Sequence, residues 1–331
     1  MAETGSMVTS PAVPVSASPQ ARLAAAASVL GVRRINGLLP PNRAGIRVGR
    51  GLIATIMAAF GPPLPGTRIR SVRSGTVRGE WVRAPGVPQG DRAVYYVHGS
   101  GYVICSARTH RGLASRLSKA TGLPVFVLDY RLAPEHRFPA AAEDVAAGYR
   151  WLLDNGYRAA DLVIGGDSAG CHLGLDLLLQ NLDGATPQPA GMFMFSPLMD
   201  LTLALAERRD RRQPDPMAPA TVGRRLIELY TAGEPAASPR LRLAIPPGAA
   251  LPPLFVQAAA GEMLGDDARH VRDMAAAAGV RCDLELWPGR IHVFQALPLL
   301  VPEAAPALRR AAEFVGAALA ESNVVVQERV S

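Results

Sequence analysis

A serine with glycines two positions before and two after it, Gly166-Asp167-Ser168-Ala169-Gly170, follows the apolar run DLVIG and precedes a helical pattern that begins at Ala169. A strand-to-helix hairpin of this kind strains the backbone at the serine and exposes its hydroxyl, and it leaves no room for side chains at the flanking glycines. The helix N-terminus beginning at the next residue favours negative charge developing beside the hydroxyl. This placement points to nucleophilic attack by Ser168 on an electrophilic carbonyl.

Such a hydroxyl needs a base, and the tetrahedral adduct needs donors for its oxyanion. The run His98-Gly99-Ser100-Gly101-Tyr102 follows the apolar RAVYYV, and a small-residue turn there aims backbone N–H groups into a cavity. The expected donors are the amides of Ser100, Gly101 and Ala169. Six histidines compete for the base: His98, His110, His136, His172, His270 and His292. His292 is preferred because its loop, PGRIHVF, follows the last strand-like run and so lies at the carboxyl ends of the strands, where doubly wound sheets bind ligands. His98 precedes the oxyanion turn, His172 lies along the helix after Ser168, and the other three fall on or near helices. Glu262, just past the run PLFVQAAA, is the expected orienting acid. Its rival, Asp266, opens the next helix and reads as an N-cap. Cys171, three residues after Ser168, reads as a small buried helix residue rather than a second nucleophile.

These groups need a scaffold, and the chain supplies one from about residue 67 onward. TRIRSVRSG and VRGEWVRA read as an antiparallel pair. RAVYYVHG, LPVFVLDY, DLVIGGDS, AGMFMFSP, PLFVQAAA and RCDLELWP then read as inner strands, several apolar throughout, as burial on both faces requires. Between them, 106–120, 140–155, 169–182, 266–278 and 303–320 carry helical periodicity. The pattern predicts an α/β fold with a mostly parallel sheet covered on both faces. Two segments fall outside the alternation, 21–66 and roughly 198–253, and together they read as a helical lid. The Ser/Pro/Ala-rich residues 1–20 read as a disordered leader, and 67–331 as the core carrying the lid insertion.

Composition excludes several classes. With 49% hydrophobic and 19% charged residues the chain reads as globular. Its longest uncharged stretch, 243–261, is broken by four prolines and cannot be a bilayer helix, so no stable membrane insertion is expected. The net charge of +7 comes from scattered arginines, Lys119 being the only lysine. The mixed-sign run ERRDRRQPD, 207–215, reads as a solvated surface loop, and nucleic-acid binding is not expected. Three widely spaced cysteines show neither metal nor redox spacing, and Gly165-Gly166 lacks the lysine or downstream acid of a nucleotide site. Without a secretory signal, a cytoplasmic protein is expected.

The chain resembles the hormone-sensitive-lipase-like branch of the α/β-hydrolases, bacterial esterases and lipases included. The family's His-Gly-Gly-Gly turn is similar to His98–Gly101, its Gly-Asp-Ser-Ala-Gly elbow to Gly166–Gly170, and its Asp-Tyr-Arg-Leu-Ala-Pro-Glu-His run to Asp129–His136. More weakly, Ser196-Pro197 and Asp200 fit its pattern. Three departures stand out: Ser100 for the middle glycine, Glu262 for the commoner aspartate, and Val293 where glycine is frequent after the histidine. The resemblance implies a carboxylesterase for short- to medium-chain esters working through Ser168, His292 and Glu262, with no cofactor and no metal. A small-molecule ester is then the partner, and self-association into a homo-oligomer is left open. The same residues would serve a lipase or an acyltransferase. A non-catalytic ligand-binding relative is the remaining alternative.

Overall fold

The computed structural model describes residues 13–40, 42–184, 186–235 and 238–330, with side chains followed to residue 324. Eight strands form one sheet: β1 (Arg68–Ser74), β2 (Val77–Arg83), β3 (Ala93–Val97), β4 (Val125–Leu128), β5 (Leu162–Asp167), β6 (Gly191–Phe195), β7 (Leu254–Ala259) and β8 (Cys282–Trp287). Their order across the sheet is β1-β2-β4-β3-β5-β6-β7-β8. Only the β1–β2 and β2–β4 pairings are antiparallel. From β4 through β8 every pairing is parallel, as the apolar runs require.

Among the described residues, ten α-helices accompany the sheet: α1 (Pro19–Leu30), α2 (Val32–Leu38), α3 (Arg43–Phe60), α4 (Ala107–Thr121), α5 (Ala140–Asp154), α6 (Ala169–Asp183), α7 (Ala204–Arg212), α8 (Ala220–Thr231), α9 (Gly265–Ala278) and α10 (Ala304–Val330). The alternation of side chains along each strand feeds two cores. On β3, Tyr95 and Val97 pack into one with residues of α5, α6, α9 and the segment between β6 and β7. Val94 and Tyr96 pack into the other with α4 and α10.

Two expectations are corrected. Residues 13–20 do not form part of a disordered leader: Ser18 caps α1, its amide donates to Glu303, and Arg290 holds the carbonyl of Ser16. Docking against the core supplies the order that their composition could not. Residues 1–12 lie outside the described residues. The run 207–215 is not a surface loop throughout either, since 207–212 is the last two thirds of α7 and Asp215 is fully buried. Glu207, Arg209 and Asp210 pair with Arg224, Asp266 and Arg33, while Arg208, Arg211 and Arg212 stay exposed, a division that a reading of local sequence misses. The other elements begin and end within about two residues of the expected bounds, apart from α10, which runs on to Val330.

Candidate active site

Ser168 stands between β5 and α6 with φ 50° and ψ −121°, a backbone that L-residues rarely adopt. Its neighbours explain the two glycines. A Cβ on Gly170 would lie 2.0 Å from the carbonyl oxygen of Val97, and one on Gly166 would lie 2.9 Å from the backbone of Gly170. The amide of Ser168 donates to the carbonyl of Phe195 at 2.9 Å, which ties the elbow to the end of β6. Beneath it, the buried Asp167 accepts from Tyr96 Oη at 2.9 Å and from His110 Nε2 at 3.2 Å. Burial pushes this carboxyl upward, but its donors His110 and Tyr96, with His98 nearby, outweigh burial and hold it below the ordinary aspartate range.

The turn His98–Tyr102, expected to hold an oxyanion, lies directly against this elbow, because a Cβ on Gly99 would meet Ser168 Cβ at 2.9 Å. Its backbone is left-handed at Ser100 (φ 78°), Gly101 (61°), Tyr102 (64°) and Cys105 (65°). Three of the four are not glycine, so the turn must be held by contacts. Tyr130 Oη donates to the carbonyl of His98 at 2.8 Å, and its ring stacks on His98 with centroids 4.3 Å apart. Burial and the neighbouring His110 push the His98 imidazole down to about 4, so it is neutral. Ser100 Oγ lies 2.8 Å from Cys105 Sγ, joining the side chains of two left-handed residues. Burial lifts that thiol to about 11 and keeps it protonated. Among the described residues, the amides of Ser100, Gly101 and Ala169 donate to no protein acceptor. Unpaired backbone donors gathered at one place are what an oxyanion requires.

His292 approaches from the other side. Its Nδ1 is 2.6 Å from Glu262 Oε2, and Glu262 Oε1 accepts the amide of Ala259 at 2.9 Å, so both carboxylate oxygens are used. The longer side chain of glutamate therefore reaches the imidazole from the end of β7. Val293, left-handed at φ 49°, donates its amide to Ser196 Oγ at 3.1 Å. That geometry explains why glycine suits the position. Consecutive residues at the end of β6, Phe195 and Ser196, thus anchor the Ser168 elbow and the His292 loop side by side. Burial works to depress the His292 pKa, but Glu262, together with Asp215 and Asp167, carries it above the usual value.

The turn bearing Glu262 is gripped by the segment between β6 and β7. Arg209 donates to the carbonyls of Glu262 (2.8 Å) and Ala260. Asp215, whose carboxyl is raised chiefly by burial, accepts from the amides of Met263 and Met217 at 2.8 and 2.7 Å. Asp266 does not cap α9, which starts from Leu264 without a side-chain cap. It binds Arg209 and Arg269 instead, because the chain enters the helix through a turn already closed by Glu262. Sequence reasoning missed Arg209, Asp215, Ser196 and the anchoring role of Tyr130. Ser196 and Tyr130 sat in recognised motifs without an assigned task, whereas Arg209 and Asp215 carried no local signal. Among the described residues, no group of His, Cys, Asp and Glu could hold a metal ion, and no helix is long and apolar enough to cross a membrane.

Comparison with known proteins agrees with this architecture. A family model described as the alpha/beta hydrolase fold matches residues 94–296. The chain is 38% identical over 251 residues to an acetyl-hydrolase of Streptomyces hygroscopicus, spanning 75% of this chain and 81% of that protein. It is 36% identical over 245 residues to the esterase LipU of Mycobacterium tuberculosis, 71% and 82% of the two chains. Among solved structures, an esterase from the bacterial hormone-sensitive lipase family superposes with a TM-score of 0.81 at 33% identity, covering 91% of this chain and 99% of the other. With a matched fold, relatives well above 30% identity over most of both chains, and the three motifs in place, this chain belongs to the α/β-hydrolase family, in its hormone-sensitive-lipase-like branch.

Proposed function

We propose that this chain is a carboxylesterase in which Ser168 attacks the ester carbonyl, His292 takes its proton, and Glu262 holds the imidazole in the productive tautomer. Nδ1–H donates to Glu262, leaving Nε2 free to accept the hydroxyl proton and return it to the leaving alcohol. The amides of Ser100, Gly101 and Ala169 receive the oxyanion. Water activated by the same imidazole then releases the acid. The observation that carries the reading is the 2.6 Å His292–Glu262 contact in a loop anchored at Ser196, next to the residue that anchors the Ser168 elbow.

A small apolar crevice of about 60 Å³ runs between α3 and α8, lined by Leu39, Ile46, Ile104, Leu226 and Leu229 among others. Leu226 packs against Gly101 of the oxyanion turn, so the crevice starts where an acyl group would leave the reacting carbon. Ser168→Ala should reduce hydrolysis of p-nitrophenyl acetate and butyrate to background and abolish labelling by a fluorophosphonate probe. Retained turnover would mean another nucleophile. Product analysis with added short alcohols separates hydrolysis from acyl transfer, and rates above and below the micellar concentration of substrate separate esterase from lipase.

A further inference from the structure

The N-terminal helices differ in charge and in covering from the rest of the surface. Between Glu3 and Glu80 the sequence contains no aspartate or glutamate, while α1–α3 alone carry six arginines. Two of these are engaged: Arg33 binds Asp210, and Arg50 binds Glu135. Arg22, Arg34, Arg43 and Arg47 are exposed and form no ion pair among the described residues. A solvated helix normally balances such charge, as α9 does with Arg272 against Asp273.

The same helices expose apolar side chains out of proportion to their length. Seven of the eleven large exposed hydrophobic residues among those described lie on α1–α3, including Leu38 at 83%, Leu23 at 71% and Leu30 at 65%. Helix α2 buries no residue, and α1 buries only Ala21 and Ser28. Within one shallow depression Val29 and Leu38 adjoin Arg34 and Pro219 of the lid insertion. Leucines left in water beside unpaired arginines describe a surface that gains by meeting something both apolar and anionic.

We infer that the outer face of α1–α3 docks on an anionic lipid surface. The apolar side chains would enter the headgroup boundary while the arginines meet lipid phosphates, with attachment peripheral and reversible. Charge decides the partner: a second copy of this chain would set arginine against arginine across a symmetric contact. Asn36 of α2 and Leu39 just after it line the apolar crevice. A docked molecule therefore holds that crevice within a helix diameter of the lipid, where apolar esters concentrate.

Attachment is independent of turnover, so the test uses the full-length Ser168→Ala protein and flotation with two kinds of vesicle. One is phosphatidylcholine alone, the other phosphatidylcholine mixed with phosphatidylglycerol. Partitioning should be more than tenfold stronger on the anionic vesicles and should weaken steeply when salt rises from about 50 to about 500 mM. Arg34→Glu with Arg43→Glu and Arg47→Glu should remove that preference, and Leu30→Ser with Leu38→Ser should weaken binding at both salt concentrations. In the Ser168 protein, both sets of substitutions should leave hydrolysis of soluble p-nitrophenyl acetate unchanged, which establishes that they fold. Equal binding to the two vesicle types, or equal binding by the arginine variant and its parent, overturns the inference. So does a dimer in sedimentation that the leucine variant dissociates while no vesicle binding occurs, for then the face belongs to a second copy.

Discussion

The serine side and the acid side of the site are built on different principles. Around Ser168 the geometry is written in the backbone: φ 50° at the serine, glycines where a Cβ would strike backbone atoms, and a left-handed turn against the elbow. Around Glu262 it is imposed by side chains from elsewhere, with Arg209 and Asp215, both between β6 and β7, gripping a turn that follows β7. Steric exclusion by backbone is local and unforgiving, whereas a clamp of distant charges can be loosened without unfolding anything. The difference predicts abrupt failure on one side and graded failure on the other.

The sharpest break should come from Gly170→Ala, whose Cβ has no space beside the Val97 carbonyl. We expect activity to fall by more than about 10²-fold and Tm to drop by several degrees, as overpacking does. Near-normal kinetics would mean that the elbow yields as readily as the acid turn. On the other side, Glu262→Gln keeps the shape and removes the charge, and kcat should fall by about 10²–10⁴-fold. Because Glu262 raises the His292 pKa, the acid limb of the kcat/KM profile should lie above pH 6.5 in the parent and move to lower pH in the variant. An unmoved limb would remove His292 as the group that must be deprotonated.

Weaker, graded losses are expected from the clamp. Arg209→Ala and Asp215→Asn should each lower kcat by about 10–100-fold with little change in KM, through displacement of the acid. Asp215→Asn should lower the acid limb more than Arg209→Ala does, since both displace Glu262 but only the first also removes a charge that itself helps raise His292. A fall in Tm without a kinetic effect would make the clamp merely structural. Smaller still is the effect expected at the oxyanion turn. Ser100→Gly relieves a left-handed serine but loses the contact with Cys105. The rate should change by less than about threefold, strain and contact each being worth about 1 kcal/mol. Cys105→Ala should slow the parent yet have no further effect in the Ser100→Gly background, and equal effects in both would dissolve the pairing.

Stability alone should respond at Asp267, which accepts the amides of Met199 and Asp200 just after β6. Burial lifts its carboxyl to about 7. A folded-state pKa above the unfolded one gives stability that is present at low pH and is lost as pH rises toward 7. Asp267→Asn should therefore gain about 2–4 °C in Tm relative to the parent at pH 8 compared with pH 5. An identical pH dependence of Tm in the two proteins would show that Asp267 is ionised as an ordinary aspartate.

Much of the site was legible because its signals are short in sequence. The elbow reads from five residues, the oxyanion turn from four, and strand periodicity places both at the carboxyl edge of the sheet. Glu262 and His292 needed only the order of strands. Arg209 and Asp215 were illegible, since a run of mixed charge reads as solvated until partners 48 to 53 residues away are brought against it. Asp266 looked like a cap for the converse reason: its local position suits that role, but the distant Arg209 and the neighbouring Arg269 take it for another.

By itself, the amino-acid sequence determined the sheet, the helices on its faces and the backbone turns that surround Ser168, because those depend on periodicity and on where a Cβ fits. Only the tertiary structure decided which charges hold the Glu262 turn, how residues 13–20 become ordered, and that the unpaired arginines and exposed leucines of α1–α3 share one segment's surface. Those outcomes depend on distances between residues far apart along the chain, and no local pattern encodes them.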